Sequence, residues 1–176
     1  MLKRMALAIL LLGLAPTLTV AHGPTRQKVT ETIEINAPPE KVWAVIGNFQ
    51  DMSWHPAFTK TEGTGANDQG ATRKLTLASG ATIDEVLTVF NAEGRTYSYE
   101  ISKVDVKVVP VTNYSSRISV TSAGDKSTVE WRGAFYRGYV NNDPPPELSD
   151  EAAVKAITGV YKDGLAALKK KVEAGG

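Results

Sequence analysis

From Val29 onward, apolar and polar residues trade places with a period of two through most of the chain. Val29, Glu31, Ile33 and Ile35 open the first stretch. Asn36-Ala37-Pro38-Pro39-Glu40 then turns the chain into a helix. Proline is tolerated in a first turn, where its missing N–H has no partner to lose, and Glu40 suits the positive dipole end. Val42, Ile46 and Phe49 recur at i, i+4 and i+7, which makes one apolar face of a short helix. Met52 to Phe58 is expected as a second short helix or an aromatic loop. Strand signals follow. Arg73, Leu75 and Leu77 share one face, and Ser79-Gly80 turns the chain. Ile83, Glu85, Leu87 and Val89 share the next face, then Tyr97, Tyr99 and Ile101, then Val104, Val106 and Val108 up to Pro110. Tyr114, Ser116, Ile118 and Val120 form another, and Val129, Trp131, Gly133 and Phe135 the last. The period then changes. Val154, Ile157, Tyr161, Leu165, Leu168 and Val172 keep helical spacing, with Ser149 or Asp150 as cap and Asp150 and Glu151 in the first turn. These faces are satisfied together by an α+β fold. A curved antiparallel sheet of about seven strands wraps around the long C-terminal helix, with two short helices after the first strand. Where helix and sheet do not fully meet, a cavity remains.

Residues 1–21 read as something else. Lys3 and Arg4 precede an apolar run from Met5 to Leu14 that is too short to span a bilayer, which takes about twenty residues. Pro16 ends the run, and Thr19-Val20-Ala21 places small residues for cleavage. The segment is expected to be a cleaved secretory signal peptide, with residues 22–176 forming one domain of a periplasmic protein. There is no cysteine, so no disulfide forms, although that compartment permits one. Without Lys3 and Arg4, 18 basic residues face 19 acidic ones, and no basic stripe marks a nucleic-acid site. No second membrane segment is present.

The order of elements, with "IEINAPPEKVWAVIGNF" followed by "WHPAF", resembles the START/Bet v1-like superfamily, the SRPBCC or polyketide cyclase/dehydrase group. That resemblance implies a helix-grip fold and an apolar ligand cavity. A narrower likeness rests on "GATRKLTLASGATIDEVLT", "VVPVTNYSSRISV" and "VEWRGAFYRGYVNNDPPPELSDEAA". With the signal peptide, these stretches look like the MxaD-type periplasmic proteins of methanol-oxidation gene clusters. That likeness implies an accessory role beside methanol dehydrogenase and its cytochrome c, assisting electron transfer without catalysing a reaction. It carries no catalytic residues and implies no cofactor.

The candidate chemistry is sparse. The chain has two histidines, His22 and His55, and no serine–histidine–acid motif around either. No catalytic residue is assigned. His55, between Trp54 and Pro56, reads either as a packed, hydrogen-bonded histidine or as a polar group at a pocket mouth, with Trp54 and Phe58 as its aromatic rim. Arg73 and Glu85 fall by alternation on the apolar faces of neighbouring hairpin strands, opposite or diagonal to each other. A charge there is expensive unless paired. They form a structural ion pair or an anchor for a ligand carbonyl or hydroxyl, which cyclase chemistry would use as acid/base and oxyanion donor. Tyr97, Tyr99, Tyr114, Trp131 and Phe135 either line a cavity or fill the core. Gly164 lies on the apolar stripe of the long helix, as close approach or room for a ligand. If cleavage follows Ala21, a terminal His22 has nitrogens that chelate Cu(II), with His55 as a third, but nothing in the spacing joins them. No metal site is assigned.

One stretch faces outward. After Phe135 come Tyr136, Arg137 and Tyr139, then Asn141-Asn142-Asp143 and Pro144-Pro145-Pro146. Asparagine and aspartate serve a turn, and three prolines stiffen the chain. Either they set its path into the helix, or Tyr136, Arg137, Tyr139 and the prolines form a rigid docking surface.

Overall fold

The computed structural model describes residues 23–175. The signal-peptide expectation and His22 lie outside those residues. Nine-residue β1 (Gln27–Ile35) leads into α1 (Pro39–Ile46), whose first position is Pro39 and whose buried face is Val42 and Ile46. The strands β2 (Phe58–Thr64), β3 (Thr72–Leu77), β4 (Thr82–Asn91), β5 (Thr96–Val104), β6 (Val111–Ala123) and β7 (Lys126–Arg137) follow. A 3-10 turn at Pro146–Leu148 precedes α2 (Asp150–Ala174). The Ser149 hydroxyl caps α2 by accepting from the Ala152 amide at 3.2 Å, and Asp150 and Glu151 occupy its first turn.

All strands pair antiparallel, in the order β1-β7-β6-β5-β4-β3-β2. The sheet curls around α2, whose Ala153, Ile157, Tyr161, Leu165, Leu168 and Val172 are buried against it. Each large aliphatic buried there contributes about 1.5–3 kcal/mol. No helix among the described residues is long and apolar enough to cross a membrane.

Three elements and one residue differ from the sequence reading; the residue is Val89, which a register shift after Leu87 turns out of the face that alternation gives it beside Glu85. Met52 to Ala57 is a run of turns, the loop of the two alternatives, and Phe58 already begins β2, so one helix follows β1 instead of two. It holds too few residues between Pro56 and the capped turn at Asp51 to propagate helical hydrogen bonds; the Asp51 carboxylate accepts from the Ser53 amide instead. Val104–Val108 is no separate strand. Tyr97 to Val104 runs as one strand, and the Asp105 side chain then accepts from the Lys107 amide, folding Val106 and Val108 into a turn. The seventh strand is β2, whose sequence FTKTEGT carries no apolar alternation because it is an exposed edge.

Candidate functional site

Strands β3 and β4 meet in a register that sets Arg73 directly opposite Glu85. Both side chains point inward and are buried. The Arg73 Nε donates to Glu85 Oε2 at 2.5 Å, and Nη1 donates to the Phe49 carbonyl at 2.9 Å. The guanidinium also lies 4.2 Å from the Phe49 ring centre and 4.9 Å from that of Tyr99, a cation–π arrangement. Burial would pull the Arg73 pKa down, but the Glu85 charge and the neighbouring Tyr97 and Tyr99 carry it above its ordinary value. Burial pushes the Glu85 carboxyl up, and Arg73 offsets part of that. The guanidinium therefore stays protonated, and its planar fork is spent on one carboxylate and one carbonyl.

A second polar group lies beside this pair. Tyr161 of α2 reaches the sheet because Gly133 of β7 leaves room for its hydroxyl; a Cβ at Gly133 would collide with it. The Tyr161 hydroxyl hydrogen-bonds Tyr114 at 2.6 Å and Ser116 at 3.0 Å. Ser116 also donates to the Arg132 carbonyl, and the Trp131 indole N–H is shared between Tyr99 and Ser116 at 3.1 and 3.0 Å. The Trp131 ring stacks on Tyr161, with centres 4.5 Å apart. Burial raises the pKa of Tyr99, Tyr114 and Tyr161, so every phenol keeps its proton.

His55 completes the wall. It is buried, its Nε2 bonds the Val160 carbonyl of α2 at 2.9 Å, and its Nδ1 accepts from the Ala57 amide at 3.1 Å. Those partners require a neutral ring with the proton on Nε2. Burial lowers its pKa, against the opposing pull of the Val160 carbonyl and Asp163; Arg73 adds to the lowering. The ring fits there because Gly164 has no side chain: a Cβ would strike His55 and Trp131. The histidine thus ties the turn-rich 47–57 segment to α2. Of the two readings of His55, the packed, hydrogen-bonded one matches this geometry; its placement as a free polar group at a pocket mouth does not, because both ring nitrogens serve the backbone.

Between these groups is a cavity of about 50 Å³. Met52, Phe58, Leu75, Ile83, Ile101 and Ile157 supply its apolar wall, and Arg73, Glu85, Tyr99, Tyr114 and Trp131 reach it as well. Of the other residues expected around a ligand, Trp54 packs against Trp131 with its own indole nitrogen unpartnered, outside the cavity wall. Tyr97 packs against Phe49 and Trp43, and Phe135 stacks on Tyr114, both away from the cavity. In the sequence pattern Tyr161 and Ser116 stand only as members of an apolar helix stripe and a strand face. The signal for Ser116 was its place between Tyr114 and Ile118 on an inward face, where a hydroxyl needs a partner.

Of the outward set, Arg137 is buried. It bonds the carbonyls of Tyr139 and Asn141 and the Asp150 carboxylate, so it is a clamp on the loop and no docking residue. Alternation explains this: Arg137 follows Trp131, Gly133 and Phe135 on the inner face of β7. Tyr139, Pro144 and Pro145 are half-buried and Pro146 is exposed, forming a rim beside exposed Val140. Tyr136 lies on the opposite face of the sheet, under Arg26. Among the described residues, no cluster of three or more histidine or acidic side chains could hold a metal.

The profile of the polyketide cyclase/dehydrase and lipid transport family matches residues 26–173. No curated protein matches the chain. Among solved structures, an uncharacterised protein from Bacillus thuringiensis is similar at 35% identity, over 83% of this chain and 98% of its own, with a TM-score of 0.70. The protein XoxI from Bacillus cereus is 37% identical over 82% of this chain and 94% of its own, with a TM-score of 0.69. Norcoclaurine synthase from Thalictrum flavum, in complex with dopamine and hydroxybenzaldehyde, shares the fold at 18% identity, over 96% of this chain and 98% of its own, with a TM-score of 0.64.

Proposed function

We propose that this chain, which belongs to the polyketide cyclase/dehydrase and lipid transport family, is a non-enzymatic periplasmic accessory protein that promotes electron transfer from methanol dehydrogenase to its cytochrome c acceptor. The observation that carries the non-enzymatic part is the interior volume of about 50 Å³. An apolar cavity that takes up benzene measures about 150 Å³. The groups able to do acid–base work are also engaged with one another: Arg73 with Glu85, Tyr161 with Tyr114 and Ser116, His55 with two backbone groups.

The dehydrogenase assignment rests on the resemblance of "GATRKLTLASGATIDEVLT", "VVPVTNYSSRISV" and "VEWRGAFYRGYVNNDPPPELSDEAA" to the MxaD-type proteins. Its physical support is the rim of Tyr139, Val140 and Pro144–Pro146. Arg137 clamps this rim from below, and Gly138 lies close against Pro110, Val106 and Leu148. A preorganised surface loses little entropy on docking. Adding the mature protein to dehydrogenase and cytochrome should accelerate cytochrome reduction. An unchanged rate together with no detectable binding would overturn the proposal.

One observation favours a second reading, a carrier or cyclase-type protein for a hydrophobic small molecule or lipid. Arg73 and Glu85 reach an otherwise apolar cavity wall, where they would orient a carbonyl or hydroxyl. This needs the 47–57 segment to move and enlarge the cavity. Native mass spectrometry of protein from its own host separates the two, since a carrier retains an apolar molecule and the accessory protein flies empty.

A further inference from the structure

The outward face of the sheet carries an arrangement that the interior does not explain. Arg117 of β6 and Arg132 of β7 are direct cross-strand partners, and both are exposed. Like charges set opposite each other weaken a sheet. The two side chains turn apart: Arg117 donates to Thr96 Oγ1 at 2.9 Å, and Arg132 comes no nearer to Glu130 than 3.9 Å. Lys28 on β1 lies diagonal to Arg132, and Arg26, just before β1, reaches over to Ser115 and the ring of Tyr136. Arg26, Lys28 and Arg117 enter no ion pair with any described residue.

Lys28, Arg117 and Arg132 rim a shallow groove of about 500 Å³ with a floor of short side chains, Thr30, Thr88, Ser98, Ser115 and Ala134, and Arg26 stands beside it through Ser115. The floor offers hydroxyls that donate to carboxylates. In the row that runs through Ser98, Arg117 and Arg132, the next residue outward is Val89, the most exposed large hydrophobic after Val140. Beside the groove the acidic residues are Glu100 and Glu130; farther out on the same face Glu34 is paired with Lys126 and Asp84 with Lys74, so the cations around the groove remain in excess.

We infer that the outward sheet face around Arg117 and Arg132 is a docking surface for an acidic protein partner, separate from the proline rim. Charge complementarity selects the partner, because an acidic surface relieves the Arg117–Arg132 repulsion that the free protein bears. Exposed arginines beside a tyrosine are also the residue types on which interface energy concentrates. A membrane is disfavoured as occupant: the floor is short and hydroxylated, with none of the leucine, phenylalanine or tryptophan side chains that insert into an acyl layer. The inference does not depend on which protein the partner is, nor on the dehydrogenase reading.

The test uses the mature protein with labelled poly-L-glutamate as probe, at low and at physiological salt. Wild type should bind at low salt and weaken as salt rises. The double variant Arg117→Ser/Arg132→Thr should bind about tenfold more weakly while melting at the same or a higher temperature. A control that removes equal charge from α2, Lys155→Gln/Lys170→Gln, should stay within about twofold of wild type. No binding by wild type overturns the inference, as does equal loss in the control. Tighter binding to phosphatidylglycerol vesicles than to the polymer, abolished in the double variant, makes the face a membrane surface and overturns it too. A lower melting temperature in the double variant would make the arginines structural supports, with the same consequence. Failure of the cytochrome assay with polymer binding intact would remove the dehydrogenase reading alone.

Discussion

Arg73 opposite Glu85 and Arg117 opposite Arg132 are the same geometric event on two sides of one sheet. Each sets two long charged side chains across an antiparallel pair. Inside, opposite charges and excluded water make the partnership obligatory, because either member alone would be a bare buried ion. Outside, like charges are tolerated because water's high dielectric keeps the repulsion of an exposed pair small, and salt weakens it further. The inner pair specifies the core, and the outer pair leaves charge unused. The lesson is that register decides which residues meet, while burial decides whether the meeting is a constraint or a resource.

The comparison breaks first at its buried end. Arg73→Met should cost about 3–5 kcal/mol in urea unfolding, because Glu85 is left without a partner. The double variant Arg73→Met/Glu85→Leu should recover most of that loss; if it does not, the pair contributes stability beyond mutual neutralisation. Next in size is Gly164→Ala, where the added methyl meets the rings of His55 and Trp131 and should cost about 1–3 kcal/mol. Gly159→Ala, with nothing within reach, should instead stabilise by up to about 1 kcal/mol.

Acid sharpens the contrast. His55 has a folded pKa below its ordinary 6.5, so the unfolded chain binds the proton more readily. Its contribution is complete above about 6.5 and is lost as pH falls through the folded value. His55→Gln should therefore flatten the decline in stability below that point, measured by melting across a pH series. The smallest effect lies outside. Arg132→Thr should raise stability by about 0.2–1 kcal/mol at low salt, and the gain should fade as salt increases.

Much of this was legible in the sequence, and for unequal reasons. Period-two alternation exposed the strands with buried faces, and the Val154–Val172 spacing exposed α2, because one-sided burial writes itself into the pattern. Arg73 and Glu85 announced their pairing for the same reason: charge on an apolar face has few other solutions. β2 was illegible because an edge strand with both faces wet needs no alternation. Val104–Val108 misled because alternation is a local signal, and the Asp105 side chain overrode it. The link between His55 and α2 joins residues 105 apart in sequence, and the Tyr161 hydroxyl depends on an absent side chain at Gly133. Neither leaves a trace in periodicity.

The strand order also fixes a timetable. β1 has β7 as its sheet neighbour, and all five other strands lie between them in sequence. The first strand must wait, unzipped, until the last hairpin exists, so completing the sheet is gated by its longest strand-to-strand closure, and α2 then packs on β1 across a still longer separation. Delivery of the chain from its N-terminus therefore leaves β1 without a partner while β2 to β6 emerge, and β1 joins the sheet edge only once β7 is available.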